Sequence, residues 1–337
     1  MLKPGDRVAI VSPASGLPEL FPAPYELGLR RLRDDFGLDP VEYPTTRKMQ
    51  SSPEDRAADL HAAWSDPSIR AVIASIGGDD QITVLKHLDP EVFRANPKPF
   101  FGYSDNTNLL NFLYSLGLPA FHGGSVMVQF GRGGAMHPDT ERSLRAALFT
   151  GGDFDLTPAT GWTDVDHDWN DPVNLQTEPP LFPGTGWTWN GSRAVTGKLW
   201  GGCLEILDWQ LAANRWMLPT ESYGGVLFCE TSEEMPTAEH VYWMLRNLGE
   251  RGLLERFDAV LWGRPKSTSL FQKLTPEESV AYITGQYLAV DRALAEYNPN
   301  AVLVKGLDIG HTDPMQVLPY GGQVRINPAT QRITVTY

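Results

Sequence analysis

The sequence predicts an α/β protein with two domains, and three observations lead to this fold class. Short apolar runs alternate with amphipathic segments over the first 150 residues, which is typical of a parallel sheet covered by helices on both faces. Residues 151–190 interrupt this alternation, and it then resumes to the end of the chain. The 337 residues are enough to build two hydrophobic cores.

The N-terminal α/β domain, residues 1–150, contains strands and helices that periodicity and end signals define. Leu29, Leu32 and Phe36 share one face of a predicted helix. Ser52, followed by proline, is a typical start for the next helix. In chain order we predict strands at 7–12, 71–78 and 99–103, helices at 24–37, 51–66 and 140–152, and a further helix between Ser104 and Gly117.

Residues 151–190 form a connecting loop in this prediction, because they are rich in Gly, Pro, Asp and Thr and show weak periodicity. The loop also holds four tryptophans. The C-terminal α/β domain, residues 191–337, returns to regular structure. There we predict strands at 224–230, 259–263, 301–311, 324–326 and 333–336, and helices at 237–252 and 275–297.

Composition and charge exclude several classes of protein. The net charge of −13 argues against a nucleic-acid groove, and no apolar run approaches the roughly 20 residues needed to span a bilayer. The apolar run at residues 8–11 is too short for a signal peptide, so we expect a cytoplasmic protein. Cys203 and Cys229 have no metal-ligand spacing, and the seven histidines show no HxxxH or HxH pattern. We therefore expect no metal, no other cofactor and no structural disulfide.

Three predicted apolar strands each lead into a reactive side chain: "PFFGY" into Ser104, "GGVLFC" into Glu230 and "AVLVKGLDIG" into His311. Ligands of open α/β sheets bind beyond the carboxyl ends of the strands, where these residues would lie. A serine nucleophile needs a base, and the base needs a carboxylate that fixes its tautomer, so the three residue types together suit nucleophilic catalysis. Each residue alone also has an ordinary explanation. Ser104 would cap a helix, Glu230 would be solvated, and His311 would lie in a turn or in the core.

Six segments follow one another in a fixed order along nearly the whole chain: "KPGDRVAIVSPAS", "IASIGGDD", "FFGYSDNTNLLN", "WGGCLEIL", "GVLFCE" and "LDIGHTDPMQVLPYG". Together they resemble the LD-carboxypeptidase family of serine peptidases, of which the microcin C immunity peptidases form one branch. The resemblance implies a two-domain scaffold with a catalytic triad of Ser104, Glu230 and His311. It also implies an oxyanion hole made by the backbone N–H groups of Gly78 and Asp105, and such a donor is typically worth about 2.7–4 kcal/mol.

The resemblance does not decide between two kinds of substrate, one for each branch of the family. Murein LD-carboxypeptidases remove a terminal D-alanine from a muropeptide, and microcin immunity enzymes cleave the amide that joins an aminoacyl or peptidyl group to a modified nucleotide. The tryptophan-rich segment resembles the second branch, so we expect Trp187 or Trp189 to stack on the nucleobase; the alternative is that they pin the loop to the domain. Many relatives carry Asn where this chain has Cys203, and a thiol is a weak substitute for an amide, which leaves the exact substrate open.

We therefore predict a serine peptidase of the microcin immunity type, acting on a small peptide or an aminoacyl-nucleotide, with no nucleic-acid or membrane partner. A murein tetrapeptide LD-carboxypeptidase is the alternative within this class. A general α/β-hydrolase is disfavoured because Asn106 stands where the usual nucleophile turn has glycine. A non-catalytic nucleotide- or sugar-binding protein is the alternative from another class. No residue pattern gives the oligomeric state, for which we expect a homodimer.

Overall fold

The computed structural model describes residues 1–270 and 272–337, and the chain divides into two compact units. The first unit comprises Met1–Gly151 and His167–Pro179, and the second comprises Gly152–Asp166 and Pro180–Tyr337. The unit boundaries thus divide the predicted connecting segment, residues 151–190, between the two units. Both units combine strands with helices, which confirms the predicted α/β fold class.

The first unit contains a parallel sheet. Its strands, in chain order, are β1 (Arg7–Val11), β2 (Asp39–Glu42), β3 (Ile69–Ala74), β4 (Phe100–Gly102) and β5 (Ala120–His122). They pair in the order β5-β4-β3-β1-β2, and every pair is parallel. Val8, Ile10, Val72 and Phe100 are completely buried, as expected for parallel strands covered on both faces.

The helices of the first unit largely begin where the sequence signals place them. They are α1 (Pro22–Asp34), α2 (Pro53–Ser65), α3 (Pro90–Ala95), α4 (Thr107–Ser115), α5 (Pro138–Arg145) and α6 (Pro172–Gln176). Ser52 caps α2, since its side chain accepts a hydrogen bond from the backbone N–H of Asp55. The helix predicted at 140–152 differs, because regular α-helix ends at Arg145 and a wider π-helical turn follows to Thr150.

The second unit contains a mixed sheet. The strands of this unit, not all of which belong to the mixed sheet, are β6 (Asp153–Leu156), β7 (Gly161–Trp162), β8 (Phe182–Pro183), β9 (Thr188–Asn190), β10 (Val195–Cys203), β11 (Gly225–Glu230), β12 (Phe257–Gly263), β13 (Val302–Leu307), β14 (Leu318–Tyr320), β15 (Gln323–Asn327) and β16 (Arg332–Thr336). The central strands β10 to β13 are parallel. Antiparallel strands continue the sheet on both sides, in the order β6-β16-β15-β10-β11-β12-β13-β9, and β7 pairs with β8 separately.

The helices of the second unit are α7 (Leu204–Ala213), α8 (Ala238–Glu250) and α9 (Pro276–Tyr297). Thr237 caps α8 by accepting a hydrogen bond from the backbone of His240, and Thr275 forms a reciprocal capping box with Glu278 at the start of α9. In the described part of the chain, no helix has both the length and the apolar character needed to cross a membrane.

The strand predicted at 301–311 is shorter in the structure. β13 ends at Leu307, so His311 lies four residues beyond the strand and not at its end. Asp308 leaves the sheet to form a buried ion pair, in which its Oδ1 lies 2.9 Å from Nη2 of Arg264. Its Oδ2 also accepts a hydrogen bond from the backbone N–H of Ala159 at 3.0 Å. These contacts anchor the start of the irregular segment that carries His311.

Candidate active site

Ser104 lies on a tight turn between the end of β4 and the start of α4. Its φ is +60°, a left-handed conformation that costs free energy for a residue with a side chain. The helix-cap explanation is wrong, because Asn106 and not Ser104 occupies the N-cap position of α4. A serine in this strained position on a strand-to-helix turn is typical of an exposed nucleophile.

Gly77 packs against Ser104 in the segment that follows β3. A Cβ on Gly77 would lie 2.8 Å from the Cβ and 2.9 Å from the Oγ of Ser104, closer than real side chains approach. The same atom would lie 3.5 Å from the backbone N of Asp105. Gly78 is exposed, and a Cβ there would lie 3.2 Å from the Cβ of Ser15. Gly77 therefore leaves room for Ser104, whereas Gly78 packs beside Ser15; sequence analysis named Gly78 and missed Gly77.

Buried polar side chains hold this turn in place. Asp105 is completely buried, and its carboxylate accepts hydrogen bonds from Gln81 N at 2.9 Å and from Asn108 Nδ2 at 2.8 Å. The Gln81 side chain donates to Asn106 Oδ1 at 2.8 Å and accepts from Leu109 N at 2.9 Å. Burial raises the pKa of Asp105 to about 6, although these hydrogen bonds oppose the shift. The network fixes the backbone of the turn, and no pattern in the sequence indicates the role of Gln81.

Glu230 and His311 are in direct contact within the second unit. Glu230 ends β11 and is completely buried, and its Oε2 lies 2.5 Å from His311 Nδ1. Two glycines leave space for this carboxylate. A Cβ on Gly263 would lie 2.6 Å from the Glu230 Cβ, and one on Gly310 would lie 2.7 Å from its Oε2. A buried carboxylate in this position fixes the tautomer of an imidazole and stabilises its charged form.

A second carboxylate contacts the other ring nitrogen of His311. Glu233 Oε2 lies 3.2 Å from His311 Nε2, and 50% of the Glu233 side chain is exposed. Burial lowers the pKa of His311, but the nearby charges of Glu230, Glu233 and Glu205 raise it by more, to about 9. The imidazole of His311 is therefore protonated on both ring nitrogens at neutral pH in this structure. Sequence analysis missed Glu233, which lies in the irregular segment 231–237 between β11 and α8.

Cys203 lies next to a third acidic side chain, Glu205. The Cys203 thiol donates to Glu205 Oε2 with an Sγ–O distance of 3.4 Å, and Glu205 Oε1 accepts from Ser232 N at 2.9 Å and from its Oγ at 2.8 Å. Burial and the charges of Glu205 and Glu230 raise the pKa of the Cys203 thiol well above its ordinary value. A neutral buried thiol is a poor nucleophile, so Cys203 is not suited to that role.

Trp187 and Trp189 lie side by side at one edge of the large sheet. Trp189 belongs to β9 and opposes Val304 of β13, and the centroids of the two indole rings are 6.3 Å apart at an interplanar angle of 43°. Both residues are half-buried. The Trp187 Nε1 is a buried donor that has no acceptor within residues 1–270 and 272–337. Trp189 is thus part of the sheet, and a stacking role for either ring stays a prediction.

The predicted site residues are divided between the two units. Gly78, Ser104 and Asp105 belong to the first unit, and Trp187, Trp189, Glu230 and His311 belong to the second. Of these, the structure shows the contact between Glu230 and His311 and the neighbouring positions of the two tryptophans. Across the residues it describes, no group of three or more His, Cys, Asp or Glu side chains is suited to hold a metal ion.

Two family models match this chain. One describes the N-terminal domain of the LD-carboxypeptidases and matches residues 8–123, and the other describes their C-terminal domain and matches residues 196–326. The chain belongs to the LD-carboxypeptidase family. This result confirms the resemblance seen in the sequence motifs, and it makes the chain a hydrolase of the serine peptidase type.

Relatives in the LD-carboxypeptidase family include members of both branches. The microcin C7 self-immunity protein MccF of Escherichia coli is 28% identical over 298 residues, which are 84% of this chain and 78% of MccF. A murein tetrapeptide carboxypeptidase of Pseudomonas aeruginosa is 35% identical over 121 residues, which are 35% of this chain and 38% of that protein.

Solved structures of LD-carboxypeptidase relatives share the fold over the full chain. An MccF-like protein from Streptococcus pneumoniae, solved in complex with AMP, is 27% identical with a TM-score of 0.86 and covers 99% of both chains. MccF in complex with glutamyl sulfamoyl guanosine is 24% identical with a TM-score of 0.84, and the match covers 100% of this chain and 97% of MccF. The second likeness, at this identity, shows the fold alone.

Proposed function

We propose that the protein is a serine peptidase in which Ser104 is the nucleophile, His311 the general base and Glu230 the carboxylate that orients the base. The 2.5 Å contact between His311 Nδ1 and Glu230 Oε2 carries this proposal, because it leaves Nε2 as the ring nitrogen that exchanges a proton with the nucleophile. The left-handed turn at Ser104 supports the choice of nucleophile.

In the proposed reaction, the Ser104 Oγ attacks the scissile carbonyl carbon while His311 Nε2 takes the hydroxyl proton. Glu230 stabilises the imidazolium that forms. The backbone N–H groups of Gly78 and Asp105 donate to the developing oxyanion, where each is worth about 2.7–4 kcal/mol. His311 then protonates the leaving amine nitrogen, and a water molecule hydrolyses the acyl-enzyme with His311 again acting as the base.

For the substrate, we propose an acyl group joined through an amide-type bond to a nucleotide. The support is the full-length similarity to MccF-like proteins, one of which was solved with AMP. Trp187 or Trp189 would stack on the base, which typically contributes about 1–3 kcal/mol, and the unused Nε1 of Trp187 would donate to a ligand acceptor.

A murein tetrapeptide is the second candidate substrate. The observation in its favour is the 35% identity to a murein tetrapeptide carboxypeptidase, although that match covers 35% of this chain. In this case the bond cleaved would join a terminal D-alanine to the residue before it, and the two tryptophans would have a structural role alone.

Hydrolysis of two substrates side by side tests the proposal. An aminoacyl sulfamoyl adenosine and a murein tetrapeptide are given to the wild type and to Ser104→Ala at equal enzyme concentrations. We expect the wild type to cleave the nucleotide with the higher kcat/KM, and Ser104→Ala to cleave neither. Faster cleavage of the muropeptide would transfer the assignment to the second candidate, and undiminished turnover by Ser104→Ala would overturn the triad.

A further inference from the structure

His311 has a carboxylate against each of its two ring nitrogens. Nδ1 lies 2.5 Å from Glu230 Oε2, and Nε2 lies 3.2 Å from Glu233 Oε2. An ionised carboxylate accepts hydrogen bonds and cannot donate them. If His311 were neutral with its proton on Nδ1, the lone pair of Nε2 would face the charged oxygen of Glu233. The contact with Glu233 is an ion pair without hydrogen-bond geometry, and its negative charge beside Nε2 favours the ring that carries a proton on both nitrogens.

A histidine that acts as general base must have an unprotonated nitrogen available to the nucleophile. We propose that Glu233 is a carboxylate latch, which holds His311 in its doubly protonated form and releases it as the base when substrate displaces the Glu233 side chain. This inference rests on the proposed function for the role of His311. In this account Glu233 is a positioning residue, because it acts through the state of His311 and not on the reacting bond.

The two carboxylates differ in how firmly they are held. Glu230 is completely buried, and Gly263 and Gly310 enclose its side chain. Glu233 is half exposed and follows the end of β11 in the irregular segment that leads to α8. Moving Glu233 into solvent therefore costs little, whereas moving Glu230 would empty a fitted space. Glu230 is therefore suited to be a permanent partner of His311 Nδ1, and Glu233 is suited to be a partner of Nε2 that substrate can displace.

Acidic side chains from three parts of the second unit act on His311. Glu230 does so from the end of β11, Glu233 from the segment after it, and Glu205 from α7. Glu205 is held in place by its hydrogen bonds from Ser232, so it stays where it is when Glu233 moves. Removing Glu233 takes away one of the three charges that favour the imidazolium, and the pKa of His311 must then fall.

The pH dependence of Glu233→Gln tests the latch. The profile of kcat/KM reports the free enzyme and that of kcat reports the substrate complex. We expect the wild-type kcat/KM profile to have its acidic limb at a higher pH than the kcat profile. In Glu233→Gln the acidic limb of the kcat/KM profile should shift to lower pH by about one unit or more, so that it approaches the limb of the kcat profile. This shift should raise kcat/KM at pH 7 roughly tenfold.

Glu234→Gln is the matched control, since it removes the same charge from the next residue, which is exposed. It should leave both limbs in place, and Glu233→Ala should behave like Glu233→Gln. An unmoved kcat/KM limb in both Glu233 variants would overturn the latch, and so would an equal shift in Glu234→Gln. A general loss of stability would lower rates without moving the limb.

A titration of the His311 ring by NMR separates failure of the latch from failure of the proposed function. The signal is assigned by its absence in His311→Ala, and the titration needs no substrate. A lower His311 pKa in Glu233→Gln than in the wild type supports the latch even if the triad is wrong. An unchanged His311 pKa overturns the latch, and leaves the triad to be decided by the loss of activity in His311→Ala.

Discussion

Gly77 lies so close to Ser104 that a methyl group added to it would fall 2.9 Å from the Ser104 Oγ. The contact joins the segment after β3 to the turn after β4, and both belong to the first unit. Because the side chain of Ser104 is short and its backbone is already strained, neither can move far to make room. The position of the hydroxyl therefore depends on glycine at residue 77.

Gly77→Ala is expected to lower kcat/KM by about a hundredfold, since displacing a reacting group by about 1 Å has an effect of that order. The strain should also lower the free energy of unfolding by about 1–3 kcal/mol. Steady-state kinetics and urea unfolding measure the two effects. Gly285→Ala in α9 is the control. Its Cβ would meet Ala238 at an ordinary 3.4 Å, so kcat/KM should be unchanged, and alanine should stabilise the helix by up to about 1 kcal/mol. Wild-type kcat/KM in Gly77→Ala would contradict the dependence on this glycine.

Glu230→Gln is expected to reduce kcat by a factor on the order of 10⁴, because an amide neither fixes the required tautomer nor stabilises the imidazolium. The side chain keeps its volume between Gly263 and Gly310, so the protein should remain folded. Single-turnover and steady-state rates at pH 7 measure the effect. A loss of less than about tenfold would show that Glu230 does not orient the base.

The stability of Glu230→Gln should also depend on pH. The pKa of His311 rises from 6.5 to about 9 on folding, so the contribution of its contact with Glu230 is fully present below pH 6.5. That contribution is lost as the pH rises through 9. The wild type should therefore lose its stability advantage over Glu230→Gln between pH 6.5 and 9, as measured by urea unfolding. A difference that stays constant over this range would contradict the charged pair.

Asp105 predicts a pH dependence in the same direction, but at lower pH. Its pKa rises from 3.8 to about 6 on folding, so the folded protein binds this proton more tightly than the unfolded chain does. Stability from this group is greatest at low pH and falls as the pH rises from about 4 to about 6. Asp105→Asn cannot titrate, and its amide would leave one of the donors of Gln81 and Asn108 unpaired at a cost of about 1–3 kcal/mol. The measurement is urea unfolding of both proteins over this range; a wild type that gains stability relative to Asp105→Asn as the pH rises would contradict the account.

The parts of the fold that the sequence predicted depend on local signals. Ser52 caps a helix in the structure as predicted, and Thr237 caps the helix that was predicted to begin at residue 237, since a cap needs a side-chain oxygen near the first backbone N–H groups. β11 ends at Glu230 as predicted, because a buried apolar run stops there. His311 was placed too near its strand, since the ion pair between Asp308 and Arg264 that follows β13 is a contact between distant residues.

The sequence missed β2, β5, β10 and β14. Of these, β10 contains three glycines, which weaken the signal of a strand. One of them, Gly201, is required because a Cβ there would lie 1.7 Å from the carbonyl oxygen of Phe228 on the neighbouring strand. This close approach between neighbouring strands is a feature of the folded sheet and produces no periodic pattern in the sequence. The strands within residues 151–190 are two to four residues long, too short for periodicity to reveal them.

The site residues that the sequence missed act through contacts between distant parts of the chain. Gln81 lies 24 residues from Asp105, and Glu233 lies in an irregular segment far from His311 in sequence. Nothing in the composition or spacing of either segment distinguishes these residues from ordinary surface residues. Gly77 differs from these two residues, because the glycine pair in "IASIGGDD" is a recognisable sequence pattern. A Cβ on either glycine would come close to neighbouring atoms in the structure.

The two tryptophans predict a change in substrate preference. If Trp187 or Trp189 stacks on the base, its replacement by alanine should lower kcat/KM for an aminoacyl sulfamoyl adenosine by about 5- to 150-fold, which corresponds to about 1–3 kcal/mol. Any cleavage of a murein tetrapeptide should barely change. A structural tryptophan would instead lower the thermal stability and reduce both activities together. Trp189 has such a structural contact, because it lies in β9 and opposes Val304 of β13. An unchanged ratio of the two activities in both variants would contradict stacking.

The central claim is that Ser104 is a nucleophile activated by His311 and Glu230, and covalent labelling tests it most directly. The wild type is treated with a fluorophosphonate probe, and mass spectrometry of the digested protein locates the adduct. We predict a single adduct on the peptide that contains Ser104. It should be absent in Ser104→Ala and form far more slowly in His311→Ala and in Glu230→Gln. An adduct on another residue, or unchanged labelling of Ser104 in His311→Ala, would contradict the claim.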